Sequence, residues 1–355
     1  FTVNNLVAST HADGAAGFDA VTYTGTGSTQ SISGLKFQPD FVWIKNRDSA
    51  SYGHRLVDSV RGSTKYLMSH NNGAEATDTN GVTSFNSDGF TVGSSHDYNV
   101  SGDNNDFIAW AWKAGGTAVS KNSGSIPATV SANNTYGFSI VKYEGTGANG
   151  TVAHGLSTAP KFFFGRNLDD TSSSLDWIIY HESIGNTGRL KFTTGATSTS
   201  STFFQNTSPS NSLITIGTSN DINKDNDNYI LYCWSEVPGF NKFGSYSGNG
   251  STQKLNFGFK PAFVMIKRHD SSTGGDWYMF DDERVSGTGE NLLRANTAAA
   301  EDSAYDYFSF DDDGITLTTG TTLNGSGRSY IYMAFAGTPD TSNVDSLIDT
   351  PTNAD

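Results

Sequence analysis

The sequence predicts an all-β fold of three tandem β-sandwich modules. Composition is the first reason: the 355 residues include 39 glycines, 23 phenylalanines and 15 tyrosines but only 16% charged residues. That mixture suits short strands joined by tight turns better than a helical bundle. The second is an internal repeat of about 100 residues, the size of a small β-sandwich. The third is the pair of hairpin signals Asp88-Gly89 and Asp313-Gly314 at matching places in two copies.

Each copy of the repeat carries the same motifs in the same order. It opens with Tyr-x-Gly-x-Gly, continues with Pro-x-Phe and a basic residue six positions after the proline, and closes with a ring-rich segment. The opening tyrosines are Tyr23, Tyr143 and Tyr246, and the prolines are Pro39, Pro160 and Pro261. The closing segments are residues 107–112, 229–234 and 330–335. Because the closing segments are almost wholly apolar, we expect central strands with both faces covered.

The repeat divides the chain into segments. They are a leader (1–17), module 1 (18–116), a linker (117–136), module 2 (137–236), module 3 (237–337) and a C-terminal linker to a missing region (338–355). The chain begins with Phe1 rather than Met, which indicates a fragment or a processed product. The short connections predict modules that pack against each other with limited bending.

Charge and cysteine content exclude several classes of function. The formal net charge is −14, and a surface this acidic repels phosphate, so we expect no nucleic-acid partner. The sequence contains no run of 18 apolar residues, so we expect no membrane insertion. The single cysteine, Cys233, excludes an internal disulfide framework and is expected in the core.

The sequence carries no recognisable catalytic motif, and we predict that the protein is not an enzyme and has no cofactor. Most of its 36 acidic residues fall in turns, where Asp bonds its own backbone. Two loops before closing segments are rich in hard oxygen ligands, which makes calcium an alternative to plain turn chemistry. The candidate metal ligands are Asp103, Asp106, Asp225 and Asp227. The corresponding loop of module 3 has no acid, which favours the turn interpretation.

Tryptophans are the candidate ligand-binding residues, because their faces can stack on sugars. Trp43 and Trp110 lie within predicted strands and are expected in the core. Trp177 and Trp277 each follow an Asp at matching places in modules 2 and 3. We predict that this second pair lies at the rim and contacts a ligand.

Four segments of module 1 carry a family resemblance. Pro39-Asp-Phe-Val-Trp-Ile-Lys-Asn-Arg-Asp48, His54-Arg-Leu-Val-Asp-Ser-Val-Arg-Gly62, Phe85-Asn-Ser-Asp-Gly-Phe90 and Ala109-Trp-Ala-Trp-Lys-Ala-Gly115 resemble a domain of unknown function. That domain recurs in large virion and tail-fibre proteins of marine and aquatic phages, and is similar to the jelly-roll sandwiches of concanavalin-like lectins. The resemblance implies a virion-surface location and no catalytic residues. Module 2 is divergent and lacks the Asp-Gly turn.

Together these observations predict a structural and adhesive protein of a virion surface or tail fibre that binds host-surface glycans. The expected partners are other virion proteins or further copies of the chain, besides the glycan. The expected location is the virion surface or another extracellular setting. The alternatives are a non-viral secreted or filament-forming surface protein and a polysaccharide depolymerase.

Overall fold

The computed structural model describes residues 13–271, 275–285 and 290–337. Residues 1–12 of the predicted leader and the predicted C-terminal linker (338–355) lie outside the described residues. The described chain is nearly all β, as the sequence predicts, and its sheets are antiparallel. Short helical turns accompany the strands: α1 (His96–Asn99), α2 (Ser201–Phe204), α3 (Asn220–Asn223) and the 3-10 turns Gly14–Ala16 and Asp282–Arg284. None of the helices in this part of the chain is long and apolar enough to cross a membrane.

Module 1 is a sandwich of a large sheet and a small one. Its strands are β1 (Phe18–Thr24), β2 (Gln30–Ser33), β3 (Phe41–Asn46), β4 (Arg55–Asp58), β5 (Lys65–Leu67), β6 (Ala76–Thr77), β7 (Val82–Asn86), β8 (Gly89–Val92) and β9 (Asp106–Trp112). The large sheet has the order β1-β9-β3-β4-β5-β6 and the small sheet β2-β8-β7. Apolar side chains of both sheets form one buried cluster between them.

Module 2 repeats the plan with extra strands at one edge. Its strands are β10 (Val119–Lys121), β11 (Ala128–Asn133), β12 (Phe138–Glu144), β13 (Gly150–Ala153), β14 (Phe162–Asn167), β15 (Ile178–His181), β16 (Gly188–Arg189), β17 (Ser198–Thr199), β18 (Leu213–Ile216) and β19 (Asn228–Trp234). The large sheet has the order β10-β11-β12-β19-β14-β15, and β13-β18 and β16-β17 pair separately. The prediction of a linker at 117–136 is therefore wrong, because β10 and β11 hydrogen-bond in succession onto the opening strand β12.

Module 3 returns to the plan of module 1. Its strands are β20 (Asn241–Ser247), β21 (Gln253–Asn256), β22 (Pro261–Arg268), β23 (Trp277–Asp281), β24 (Glu290–Arg294), β25 (Asp302–Tyr305), β26 (Phe308–Asp311), β27 (Gly314–Leu317) and β28 (Ser329–Ala336). The large sheet has the order β20-β28-β22-β23-β24-β25 and the small sheet β21-β27-β26.

The Asp-Gly signals do form hairpins, β7–β8 and β26–β27. The glycines are required for a reason other than turn conformation. A Cβ at Gly89 would lie 1.9 Å from the carbonyl oxygen of Ile32, and one at Gly314 would lie 2.0 Å from that of Leu255. Only glycine lets the neighbouring strand of the small sheet approach this closely.

The matched motifs occupy equivalent positions in the three sheets. The Pro-x-Phe strand always pairs antiparallel with the closing strand in one register. The paired residues are Phe41 with Trp112, Phe162 with Trp234, and Phe263 with Phe335. The repeat seen in the sequence is therefore a repeat of structure.

The large sheets are covered on both faces, as predicted, and the second face is covered by the other modules. In the closing strand of module 1, Phe107, Ala109 and Ala111 face the small sheet, whereas Ile108, Trp110 and Trp112 belong to a cluster that all three modules share. The last rings of the closing strands meet there. Trp112 lies 5.9 Å from Trp234 and 5.8 Å from Phe335, and Trp234 lies 6.4 Å from Phe335, between ring centroids. The modules thus share a core and are not separate units on a string.

The modules follow one another around this centre as a closed ring. Each Pro-x-Phe ring contacts an aromatic ring of the next module, from 1 to 2, from 2 to 3 and from 3 back to 1. The pairs are Phe41 with Tyr232 (4.4 Å), Phe162 with Phe243 (6.1 Å) and Phe263 with Phe18 (5.7 Å). A head-to-tail interface that closes on itself is the arrangement of a threefold ring, here built within one chain.

Equivalent backbone hydrogen bonds also join the modules. At each interface, the backbone N–H of the residue just before an outer strand (β6, β17 or β25) donates to a backbone carbonyl of the next module. That carbonyl lies in the loop after the Pro-x-Phe strand of the next module. The pairs are Glu75 to Leu168 (2.9 Å), Thr197 to His269 (2.9 Å) and Glu301 to Arg47 (2.6 Å). The same bond at all three interfaces shows that the ring is approximately symmetric.

Candidate functional site

The tyrosine of the opening Tyr-x-Gly motif hydrogen-bonds to the segment that precedes the closing strand of its module. In module 3 the Tyr246 hydroxyl donates to the carbonyl of Leu323 at 2.6 Å. The next residue, Asn324, donates its side-chain amide to the carbonyls of Ser251 and Thr318. The counterparts in the other modules are Tyr23 with Tyr98 and Asn99, and Tyr143 with Ile222 and Asn223. The repeat motifs do not include these buried asparagines, although one precedes each closing strand by five to seven residues.

The basic residue after each Pro-x-Phe is also structural. Lys45 is fully buried and donates to the carbonyls of Ser49 and Tyr52 at 3.2 and 3.0 Å. Its counterparts Arg166 and Lys267 likewise donate to loop carbonyls. Burial lowers the pKa of both lysines to about 8. These cations shape the loop that follows the strand.

Trp177 and Trp277 do occupy matching places, but the prediction that they lie at the rim is wrong. They are only 1% and 2% exposed. The Nε1 of Trp177 donates to the carbonyl of Met68 in module 1 at 3.1 Å, and that of Trp277 to the carbonyl of Lys191 in module 2 at 2.8 Å. Their rings are part of the shared core and cannot stack on a surface sugar. Trp43 and Trp110 are buried, as predicted.

At the interface between modules 3 and 1, His54 occupies the position that Trp177 and Trp277 have in the other two modules. Its Nε2 lies 3.0 Å from the carbonyl of Arg294 in module 3. Its Nδ1 accepts from the Nε1 of Trp43 at 2.8 Å, so the Nε2 carries the proton. Complete burial keeps the pKa of His54 well below its usual value, so the ring stays neutral.

Buried ion pairs occupy two of the three interfaces. Asp281 accepts from the Nε1 of Trp110 in module 1 and from the Nε of Arg284, both at 2.8 Å. Asp58 of module 1 likewise pairs with Arg61 and accepts from the Tyr232 hydroxyl of module 2 at 2.7 Å. In both cases a carboxylate meets an aromatic donor of the next module.

At the interface between modules 2 and 3, the carboxylate, the arginine and the aromatic donor are all replaced by other residues. The counterpart of Asp58 and Asp281 is His181, and the counterpart of the aromatic donor is Met333, which has no hydrogen to donate. Ile184 replaces the arginine and packs against the shared core. His181 instead places its Nε2 3.2 Å from the carbonyl of Tyr332. Burial lowers the pKa of His181 to about 4.

The proposed metal ligands lie in tight turns. Asn104 and Asn226, beside them, have φ of 63° and 61°, and the matching residue of module 3 is Gly327 with φ of 72°. Asn and Gly are the residues that tolerate this left-handed conformation. Among the described residues, no group of three or more His, Cys, Asp or Glu side chains could hold a metal ion.

Two of the four proposed metal ligands form hydrogen bonds or ion pairs within the protein. Asp106 accepts from the hydroxyl of Thr24 at 3.2 Å. Asp227 accepts from the side chains of Asn167 and Lys224, both at 2.8 Å. Asp103 and Asp225 are exposed. These contacts favour the turn interpretation over calcium.

A groove at the junction of modules 1 and 2 is the candidate site. Its volume is about 690 Å³. It is lined by Gln38, Asp40, Ser59, Lys113, Asn133 and residues 114–118. The chain supplies these residues from four separated segments, so folding brings them together. We call this feature the Asp40 groove.

Asp40 lies in the wall of the groove and is 3% exposed. Its Oδ1 accepts from the hydroxyl of Ser59 at 2.9 Å, and its Oδ2 from the backbone N–H of Gly116 at 3.2 Å. Burial raises the pKa of Asp40, and Lys113 acts in the opposite direction. Lys113 is half-buried and Gln38 is exposed, so both are accessible to a ligand.

The same two positions in module 2 have a different chemistry. Lys161 and Glu182 stand where module 1 has Asp40 and Ser59, as matching backbone hydrogen bonds show. They form an ion pair with each other. In module 3 the first position is Ala262. The repeat therefore preserves the shared core and varies this surface, which gives the Asp40 groove a chemistry found in module 1 alone among the described copies.

The fold and the groove define an all-β ring of sandwich modules with a polar surface site. A family model described as a domain of unknown function, DUF7483, matches residues 13–339. The chain belongs to this family, whose activity is uncharacterised. One family model spans the three modules, in agreement with a ring that forms a single unit. No curated protein matches the chain.

Proposed function

We propose that the chain is a structural and adhesive component of a virion surface or tail fibre that binds host-surface glycans. The observation that supports this role most is the closed ring with its shared aromatic core. Every module is held by both neighbours through buried rings and backbone hydrogen bonds, and two of the three interfaces also contain a buried ion pair. Such a unit keeps its surface in a fixed geometry under load, which is what an adhesive scaffold needs.

Location and assembly belong to the same proposal. The resemblance of module 1 to domains of phage tail-fibre proteins supports a virion-surface or other extracellular setting. Other virion proteins or further copies of the chain are the proposed assembly partners. We propose no catalytic step and no cofactor, because the residues that the repeat preserves hold the fold together.

A glycan array with the purified chain tests the adhesive role. We expect binding to a subset of surface glycans at millimolar affinity or better. Reducing ends are measured in the same samples over several hours. Binding without release of reducing ends is the expected result. Release of reducing ends would instead indicate a depolymerase, and the absence of binding to any glycan would contradict adhesion to glycans.

A further inference from the structure

We propose that the Asp40 groove binds an uncharged oligosaccharide through its hydroxyl groups. This inference rests on the proposed adhesive function and gives it a site and a ligand class. It replaces the two tryptophans, whose rings are buried, as the place of contact.

The size and lining of the groove suit such a ligand. Sites for small molecules have volumes of about 300–1,000 Å³, and the groove has about 690 Å³. Its lining combines a carboxyl acceptor at Asp40, an ammonium donor at Lys113 and an amide that does both at Gln38. A sugar hydroxyl is both donor and acceptor, so neighbouring hydroxyls can pair with all three groups.

The charges of the groove favour a neutral ligand. The lining contains one acid, Asp40, and one base, Lys113, so it offers no net charge for a strongly ionic partner. The chain as a whole has a net charge of −14, which repels sialylated or sulfated glycans. A ligand with an ammonium group would be repelled by Lys113, which lies in the same lining as the carboxylate. Uncharged hydroxyl groups avoid the repulsion by Lys113 and the repulsion by the negative charge of the chain.

The groove is also formed in advance. Asp40 is held by Ser59 and Gly116. The loop beside it is held from module 2: the hydroxyl of Ser131 accepts from the N–H of Gly115 at 2.9 Å and donates to the carbonyl of Gly116 at 2.8 Å. A site whose walls are already fixed loses little freedom when a ligand binds.

The test uses calorimetric titration of the full chain with defined probes. The probes are uncharged hexose and N-acetylhexosamine oligosaccharides, with sialylated and sulfated oligosaccharides in a separate arm. The variants are Gln38→Ala, which removes an exposed side chain, and Asp40→Asn, which keeps the shape of the buried one. The matched control is Lys161→Ala, at the position of module 2 equivalent to Asp40. Circular dichroism verifies the fold of each variant.

We expect uncharged probes to bind, and each groove variant to weaken binding about tenfold or more, as loss of a hydrogen bond to a charged or polar partner does. The control should bind like the unaltered chain. Binding of uncharged probes that neither variant weakens would overturn the site but leave the adhesive function in place. Binding of anionic probes alone would overturn the ligand class. Binding of no probe would contradict both the inference and the glycan-binding function.

Discussion

Removal of the Asp281 carboxylate should destabilise the interface that closes the ring. Asp281 and Arg284 have fully buried side chains. The carboxylate accepts three hydrogen bonds: from the backbone N–H of Arg284 at 3.1 Å, from its Nε at 2.8 Å and from the Nε1 of Trp110 at 2.8 Å. Asp281→Ala leaves a buried guanidinium with one fewer carboxylate and leaves an indole N–H of module 1 unpaired.

Loss of one partner of a buried ion pair typically costs 3–5 kcal/mol, because the other charge stays buried. Arg284 keeps a second carboxylate, Glu301, at 2.7 Å, so we expect about 3 kcal/mol for Asp281→Ala. The double variant Asp281→Leu/Arg284→Met removes both charges and should cost less than the single one, since apolar residues of similar volume often replace a buried pair without loss.

The assay is urea unfolding followed by tryptophan fluorescence and far-ultraviolet circular dichroism. The control is Glu182→Ala, which breaks the ion pair with Lys161 and changes the residue next to His181, the counterpart of Asp281 in module 2. That pair is partly exposed, at 33% and 52% for the two side chains, so its loss should cost at most about 1 kcal/mol. Equal costs for Asp281→Ala and the control would refute the reasoning about the buried interface, as would a double variant less stable than Asp281→Ala.

Three further predictions follow from the same contacts. Tyr246→Phe removes the donor to the carbonyl of Leu323 and should cost about 1–2 kcal/mol in urea unfolding, because that carbonyl is then buried without its partner; an unchanged unfolding midpoint would contradict the role given to the hydroxyl. Trp177→Phe removes the donor to the carbonyl of Met68 and should cost about 1–3 kcal/mol while leaving glycan binding unchanged; weakened binding in a folded variant would restore the rim interpretation. Burial lowers the pKa of His181 to about 4, so the imidazole is protonated near pH 6.5 in the unfolded chain and only near pH 4 in the folded chain. The stability that the neutral ring contributes is fully present above pH 6.5 and is lost as the pH falls through 4. The free energy of unfolding should therefore fall by about 2 kcal/mol between pH 7 and 4.5. His181→Gln should flatten this pH dependence of the unfolding free energy by that amount, and an unchanged slope would contradict the assignment.

Much of the fold follows from local sequence. The Pro-x-Phe strands, the closing strands and the Asp-Gly hairpins have strong β propensity and clear turn residues, so their positions could be predicted. The strands β10 and β11 could not, because residues 117–136 are rich in Ser, Asn, Thr and Ala and resemble a linker. They become strands since the open edge of β12 supplies hydrogen bonds, and tertiary context outweighs weak intrinsic preference.

The ring and the groove depend on contacts between distant segments. The continuous apolar run of each closing strand shows that both of its faces are covered, but it does not show which part of the chain covers them. Trp177 and Trp277 follow a loop, which is typical of exposed residues, but both rings lie in the shared core and both indole N–H groups donate to a carbonyl of the neighbouring module. The Asp40 groove combines residues from four separated segments, so no single stretch of the sequence marks it. Comparison of the repeats offered one clue, because Asp40, Lys161 and Ala262 differ where the surrounding core is preserved.

Differential scanning calorimetry of the chain tests most directly whether the three modules share one core. A single cooperative unit of this size should unfold in one transition with calorimetric and van 't Hoff enthalpies that agree, at about 230 kcal/mol near 60 °C. Independent modules would give a van 't Hoff enthalpy of only about 70 kcal/mol each. One transition with matching enthalpies is the result predicted here, and three separable transitions would contradict the shared core.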